Sequence, residues 1–302
     1  MKKNNSEGNW TYNKINCKSR AETINLFDPE RNRLILILLE QEIRHDIIDD
    51  MVWSFSRLNG FYTCKRAWYY TYIMKRSERE NFFSQYGTFA HSVFEKYNKG
   101  ELEIYELASY YNDNYYSNVT EEAPPNKYVD LNESYFNKGY DYFVNIKDNP
   151  DEEIIGAEVK FEFTIDVMDK PRKFIGYIDK VSRDKNGFIV TDYKSKGKFK
   201  NKEELHDYTR QLYIYAIALK EMYGEYPYKL VFEQFKENIT QEICFNEEDL
   251  EETYDWIRNT IRLIYDEIDF PKTQNDFFCS YLCSARDTCV TDTIWHFSTF
   301  VI

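Results

Sequence analysis

The sequence predicts an α/β fold, a central sheet flanked by helices. Three observations lead there. Alternating apolar and polar residues mark strands in "GAEVKFEFTIDV", "RKFIGYIDKVSR" and "FIVTDYKSK", because successive side chains on a strand point to opposite faces. Apolar residues at three- and four-residue spacing mark helices before and after those strands. A hydrophobic content of 42 %, with 27 Tyr and 22 Phe in 302 residues, supplies enough apolar mass for a core.

Taken in order, residues 1–30 are polar and irregular. From Arg31 to about Asp50, Leu34, Leu38, Ile43 and Ile47 recur at helical spacing. A second helical segment is expected over Trp53–Met74 and a third from near Gly87 to Asn98. The tyrosine-rich stretch 101–120 reads as helical; Pro124 and Pro125 break it, and residues 131–146 form one more short helix. The first two strands are joined by a turn at "MDKP", the second and third by a tight turn at "DKNG". The helix "EELHDYTRQLYIYAIALKEMY" ends at Gly224, a natural C-cap. Strands around "YKLVFEQFK" and "ITQEICF" follow, then a helix from Glu247 to about Ile268, stopped by Pro271. This divides the chain into an N-terminal extension (1–50), a helical region (51–150), a core (151–270) and a cysteine-rich C-terminal segment (271–302).

The balance of charge is acidic, 52 Asp and Glu against 39 Lys and Arg. That argues against loose, charge-driven coating of nucleic acid, but leaves room for a local basic channel. The longest apolar run, Leu34–Leu39, is six residues, so no membrane span is expected. The opening "MKKNNSEGNW" lacks the apolar run of a secretory signal. A cytoplasmic location is therefore expected. The high Asn, Lys, Ile and Tyr content fits an AT-rich genome, bacterial or phage. In a reducing compartment the six cysteines read as metal ligands or spectators rather than disulfides.

The chemistry concentrates around Asp192 and Lys194, which lie two residues apart and share one strand face. Asp179 lies on the strand before. With a four-residue "DKNG" loop Asp179 stands opposite Asp192; with a two-residue Asn186–Gly187 turn it stands opposite Lys194. Either register puts all three on one face. Two such carboxylates repel unless a cation lies between them. A hard divalent ion accepts carboxylates together with water and phosphate oxygens. A lysine beside it can orient water or stabilise a developing anion. The set fits metal-assisted phosphodiester hydrolysis; the bland alternative is a surface hairpin with ordinary cross-strand ion pairs.

"GYIDKV", a short turn and "VTDYKSK" closely resemble motifs of the PD-(D/E)XK nucleases, in their RecB-like branch. "QLYIYAIAL" resembles that family's Gln-x₃-Tyr helix, and "YGTFAHSVFEKY" its upstream Gly-x₃-His motif. The matches run in order over residues 53–290. The resemblance implies a restriction-endonuclease-like core with a mixed sheet and a Mg²⁺- or Mn²⁺-dependent deoxyribonuclease, an exonuclease at DNA ends. It makes Asp179 and Asp192 metal ligands, with His91 and Glu158 as further candidates, and Lys194 the catalytic lysine. Gln211 and Tyr215 would support the site or contact DNA. Spacer processing in CRISPR adaptation, or the nuclease part of a helicase complex, is the alternative setting. The sequence has no G-x₄-G-K-[ST] motif, so a helicase or recombination partner would be a separate chain. A DNA-binding or zinc-stabilised interaction protein without catalysis is the rival from another class.

Four cysteines stand apart, Cys64 far upstream and Cys279, Cys283 and Cys289 clustered downstream. Four thiolates can hold a [4Fe–4S] cluster or a structural Zn²⁺. The segment "SRLNGFYTCKRAWYY" resembles the surroundings of the first cluster cysteine in AddB-type and CRISPR-adaptation nucleases, which implies [4Fe–4S]. The downstream spacing here is Cys-x₃-Cys-x₅-Cys, one residue longer than that family's usual Cys-x₂-Cys-x₅-Cys. Cys17 and Cys244 are expected to be spectators. Between Arg57 and Arg79, six basic residues and one acid interleave with Trp68, Tyr69, Tyr70 and Tyr72. Basic groups track phosphates and aromatic rings stack on unpaired bases. Lys65 and Arg66, and Lys196 and Lys198 from the lysine run after Lys194, are the DNA-binding candidates, the last two on a basic rim.

Overall fold

The computed structural model describes residues 29–76 and 79–290, with side chains from residue 38 onward. The irregular stretch 1–28, Cys17 within it, and the tail 291–302 lie outside the described residues. The chain divides into two compact units, Met1–Ile43 and Arg44–Ile302. The boundary falls within helix α1 (Pro29–Asp49), and residues 29–43 of the first unit are helical. No helix among the described residues is long and apolar enough to cross a membrane.

In the second unit the single helix expected over Trp53–Met74 is three pieces. Helix α2 (Phe55–Thr63) is capped by the Ser54 hydroxyl, which accepts from the Arg57 amide. Cys64 then turns extended, with φ −162°, and its sulfur accepts the Ala67 amide at the start of α3 (Lys65–Trp68). A π turn over Tyr69–Ile73 follows. A cysteine acting as N-cap is a weak signal in sequence, which is why the break is hidden there. Helix α4 (Phe82–Asn98) starts five residues before the expected Gly87, because Asn81 and Ser84 form a capping box. Helices α5 (Leu107–Asn118) and α6 (Leu131–Asn145) complete this half.

The sheet consists of β1 (Glu153–Val167), β2 (Lys170–Asp184), β3 (Gly187–Tyr193), β4 (Lys229–Gln234) and β5 (Ile239–Cys244), in that spatial order. β3 and β4 run parallel and the other pairs antiparallel, so the sheet is mixed. The parallel pair needs a crossover. Helix α7 (Lys202–Tyr223) makes it and stops at Gly224, whose φ of +80° suits glycine. Helix α8 (Glu247–Asp266) closes the order.

Register decides the site. Asp184 pairs with Gly187 and Lys180 with Thr191, so Asp179 stands across from Asp192, the first of the two expected alternatives. The third strand ends at Tyr193 rather than near Lys196, and residues 194–201 leave the sheet. Two apolar cores cover the sheet. One joins α2, α7 and α8 to Val181, Val190 and Phe232; the other joins α4, α5 and α6 to Tyr193 and Phe235. In the second, the Phe94 and Tyr193 rings stack at 3.8 Å, which holds α4 against the end of β3.

Candidate active site

The two aspartates are buried at the end of the β2–β3 ladder. Asp179 Oδ2 accepts the Tyr193 amide at 2.7 Å. The Tyr193 carbonyl in turn is 2.8 Å from His91 Nε2. A carbonyl only accepts, so Nε2 carries a proton, and in the neutral ring Nδ1 then keeps a lone pair. Nδ1 lies 3.5 Å from Asp179 Oδ2. Burial disfavours the charged imidazolium and holds the His91 pKa below its ordinary value, against the pull of Asp192. A neutral imidazole with one nitrogen tied to a carbonyl and the other unprotonated is the form that binds a metal.

The Gly-x₃-His pattern has a local cause. A Cβ on Gly87 would lie 3.1 Å from Ser195 Oγ, in the loop just after Lys194. Glycine lets that loop lie close to α4, and His91, one turn further on, reaches Tyr193.

Lys194 closes a ring of contacts. Its Nζ lies 2.7 Å from Asp192 Oδ2 and donates to Gln211 Oε1 at 2.6 Å. Gln211 Nε2 donates to the Tyr215 hydroxyl at 2.7 Å, and that hydroxyl donates to Asp192 Oδ1 at 3.3 Å. Burial and both aspartates push the Tyr215 pKa well above its usual value, so the hydroxyl keeps its proton to donate. Gln211 and Tyr215 are one turn apart on α7, which explains their spacing. The Lys194 amide is anchored to the Glu233 carbonyl of β4 at 2.8 Å.

Glu158 joins them from β1. Ala157 pairs with Lys180 and Val159 with Ile178, so Glu158 lies across from Asp179. Its φ is +49°, a left-handed conformation that costs a non-glycine residue about 1–3 kcal/mol. Such strain persists only where the surroundings enforce it. Single donor atoms of His91, Glu158 and Asp179 lie within 4.8 Å of one another.

The electrostatics ask for a cation. Burial and the neighbouring Asp192 push the Asp179 carboxyl well above the ordinary carboxylate range. Burial and Glu95 also raise Glu158. Carboxylates about 5 Å apart repel by roughly 3 kcal/mol at an effective dielectric near 20. Of these three carboxylates Asp192 has Lys194 at salt-bridge range, while Lys99, whose charge also acts on Glu158, is paired with Glu95. Oxygen donors, one neutral imidazole nitrogen and excess negative charge fit a hard divalent ion.

All four singled-out cysteines line one cavity of about 320 Å³, together with Lys272 and Arg286. Cys64 Sγ accepts amides from Ala67 at 3.5 Å and Thr273 at 3.4 Å. Burial pushes the Cys283 thiol up to about 11 and raises Cys289 as well. Among the described residues, the groups of three donors within 4.8 Å are His91–Glu158–Asp179 and His206–Asp249–Glu252, and no cysteine set is that close. The sulfurs thus ring a space. The second group is tied up internally: Glu252 pairs with Arg210, and Asp249 accepts from Tyr213 and Asn246. Cys244 is exposed on β5, away from the cavity lining.

Of the basic candidates, Lys65 pairs with Glu267, and Arg66 donates to the Phe270 carbonyl at 2.8 Å. Both tie α3 to the segment after α8. Lys196 pairs with Glu204 at 2.8 Å and lies 4.1 Å from the Tyr208 ring centroid. Lys198 is exposed. Tyr208, absent from the sequence reading, also has Lys194 Nζ 5.6 Å from its centroid. Its signal was its place three residues before Gln211, on the same helix face.

Comparison with known proteins adds a family. The model described as the PD-(D/E)XK nuclease superfamily matches residues 52–290. No curated protein matches. A solved structure titled "Crystal structure of SSO0001" is similar at 18 % identity, covering 86 % of this chain and 97 % of that one, with a TM-score of 0.38.

Proposed function

From a chain that belongs to the PD-(D/E)XK nuclease superfamily, and is by that membership a metal-dependent nuclease, we propose a RecB-like deoxyribonuclease that hydrolyses phosphodiesters at DNA ends. The observation that carries this is the closed ring of Lys194, Gln211, Tyr215 and Asp192 beside Asp179. A pure binding protein has no need to hold buried like charges together against their repulsion.

In this reading Asp179, Asp192 and His91 Nδ1 would hold Mg²⁺ or Mn²⁺, with Glu158 completing the set from β1. The ion would supply an acidified water and stabilise charge on the phosphoryl oxygens. Lys194 hydrogen-bonds the attacking water or the developing anion, and Gln211 aims its ammonium. Tyr215 fixes one oxygen of Asp192 so that the other faces Lys194. Lys198 supplies charge for a strand phosphate.

The cysteine cavity is read as the seat of a [4Fe–4S] cluster. Tetrahedral Zn²⁺ with Zn–S of about 2.3 Å needs sulfurs about 3.8 Å apart. Donors spread around a cavity suit a cluster with several irons better. Lys272 and Arg286 offset thiolate charge there.

The test is cleavage of end-labelled single- and double-stranded DNA by anaerobically purified protein, with Mn²⁺ or with EDTA. Metal-dependent shortening from one end, absent in Lys194→Ala, is expected. Cleavage that persists in EDTA, or in the variant, would overturn the assignment. Iron and acid-labile sulfide in equal amounts are expected on analysis; zinc without sulfide would refute the cluster.

A further inference from the structure

Beside the acid–lysine site the fold opens a cleft of about 470 Å³. Lys194 and Gln211 belong to its lining, together with Phe55, Trp68 and Tyr72, with Tyr208 of α7, and with Phe278 and Leu282 of the cysteine segment. We propose that this cleft receives the unpaired nucleobase adjoining the scissile phosphodiester of a single DNA strand. The proposal rests on the nuclease reading above and extends it to a substrate subsite.

The lining fits a base. Tyr72 and Tyr208 are the half-buried rings of this lining, and each is backed by a buried one, Trp68 at 5.4 Å and Phe55 at 6.4 Å. Cations accompany the rings: the Arg57 guanidinium lies 4.6 Å from the Tyr72 centroid, and Lys194 Nζ lies 5.6 Å from that of Tyr208. Rings beside cations are the chemistry that stacks a base and neutralises its phosphate without reading sequence. The volume lies in the range of small-molecule sites. A formal charge of -13 leaves little general attraction for duplex phosphates, so affinity must come from local contacts such as these. The position also matters. Lys194 borders both the cleft and the aspartates, so a base held here puts its own phosphate at the lysine.

The experiment is an abasic walk by fluorescence anisotropy, on the full native chain, without added divalent metal. A short labelled single strand carries one abasic residue at successive positions. A loss of about tenfold in affinity at one or two adjacent positions is expected, with weaker binding of the same sequence as blunt duplex. Tyr72→Ala and Tyr208→Ala should each flatten that profile, and Tyr72→Phe and Tyr208→Phe should keep it. A flat walk on the native protein, or equal affinity for duplex, overturns the cleft whatever the variants do. Hydrolysis of bis(p-nitrophenyl) phosphate with Mn²⁺ by the native protein is read in parallel, since that diester has no base. An inert protein with a positioned walk would refute the nuclease and keep the cleft. An active protein with a flat walk would refute the cleft alone.

Discussion

The acid–lysine site and the cysteine cavity both gather metal-binding donors, and they are held in opposite ways. Asp179 and Asp192 stand on neighbouring strands, fixed by the β2–β3 ladder. Their side chains are held by the Tyr193 amide and the Tyr215 hydroxyl. Cys64 sits at a break between two short helices. Cys279 lies in the π turn Phe278–Leu282 and Cys283 caps its end, far along the chain. The first site is preorganised by the sheet before any ion arrives. The second has little regular structure to fix it, so on the proposed reading its geometry would come from the metal it holds. On that reading one would serve chemistry and the other closure.

The sharpest break of that contrast is chemical. Lys194→Ala, or Asp192→Ala, should lower cleavage by about a thousandfold or more, in the range of losing one preorganised electrostatic group. Circular dichroism should stay native, because the ladder survives. A variant within tenfold of wild type would show that the ring is structural.

The converse break is thermodynamic. Cys283→Ser should lose iron and lower the melting temperature by about 10 °C, since a structural metal site contributes several kcal/mol to folding. Mn²⁺ binding at the aspartates, read by calorimetry, should persist. Its disappearance would mean that the two sites are one cooperative unit rather than two regimes.

A subtler effect concerns the charge stored in the preorganised site. Burial and Asp192 raise the Asp179 pKa, so the folded state binds a proton that the unfolded state releases above its own pKa of about 3.9. Stability without metal therefore falls as pH rises from that value toward the folded pKa. Asp179→Asn keeps an oxygen for the Tyr193 amide and removes the penalty. In EDTA near pH 7 it should be more stable than wild type by on the order of 1–2 kcal/mol, and the gap should close near pH 4. With saturating Mn²⁺ the order should reverse. A wild type more stable in EDTA at neutral pH would show that Asp179 is not strained by its neighbours.

The difference between the sites also explains what could be read from residues alone. Asp179, Asp192 and Lys194 were legible because strand alternation and a short turn bring them near in either register. Gln211 and Tyr215 were legible because four residues make a helical turn. The ring they close was not, since it depends on how α7 packs over β3. Glu158 could be named but its φ of +49° could not be foreseen, since nothing in the local sequence asks for a left-handed backbone there. The break at Cys64 was missed because its cap is a sulfur. Lys65 and Arg66 read as free charges in sequence, yet their partners, Glu267 and the Phe270 carbonyl, come from the other end of the core.

The smallest effect tests how finely the sheet-built site is tuned. Gly87 has no side chain to reach a metal ligand or the lysine, and its φ is not positive. Alanine is therefore allowed there by the backbone and should favour the helix by about 0.5–1 kcal/mol. Its Cβ, however, would meet Ser195 Oγ at 3.1 Å. Either the serine turns aside or α4 shifts by a few tenths of an ångström, and His91 shifts with it. Gly87→Ala should thus leave the melting temperature unchanged or slightly raised while weakening Mn²⁺ binding about two- to fivefold, well under 1.4 kcal/mol. Adding Ser195→Gly removes the obstructing hydroxyl and should restore binding. Restoration would trace the loss to that contact. A loss that Ser195→Gly leaves in place would mean that Gly87 serves the site through helix geometry and not through the loop beside Lys194.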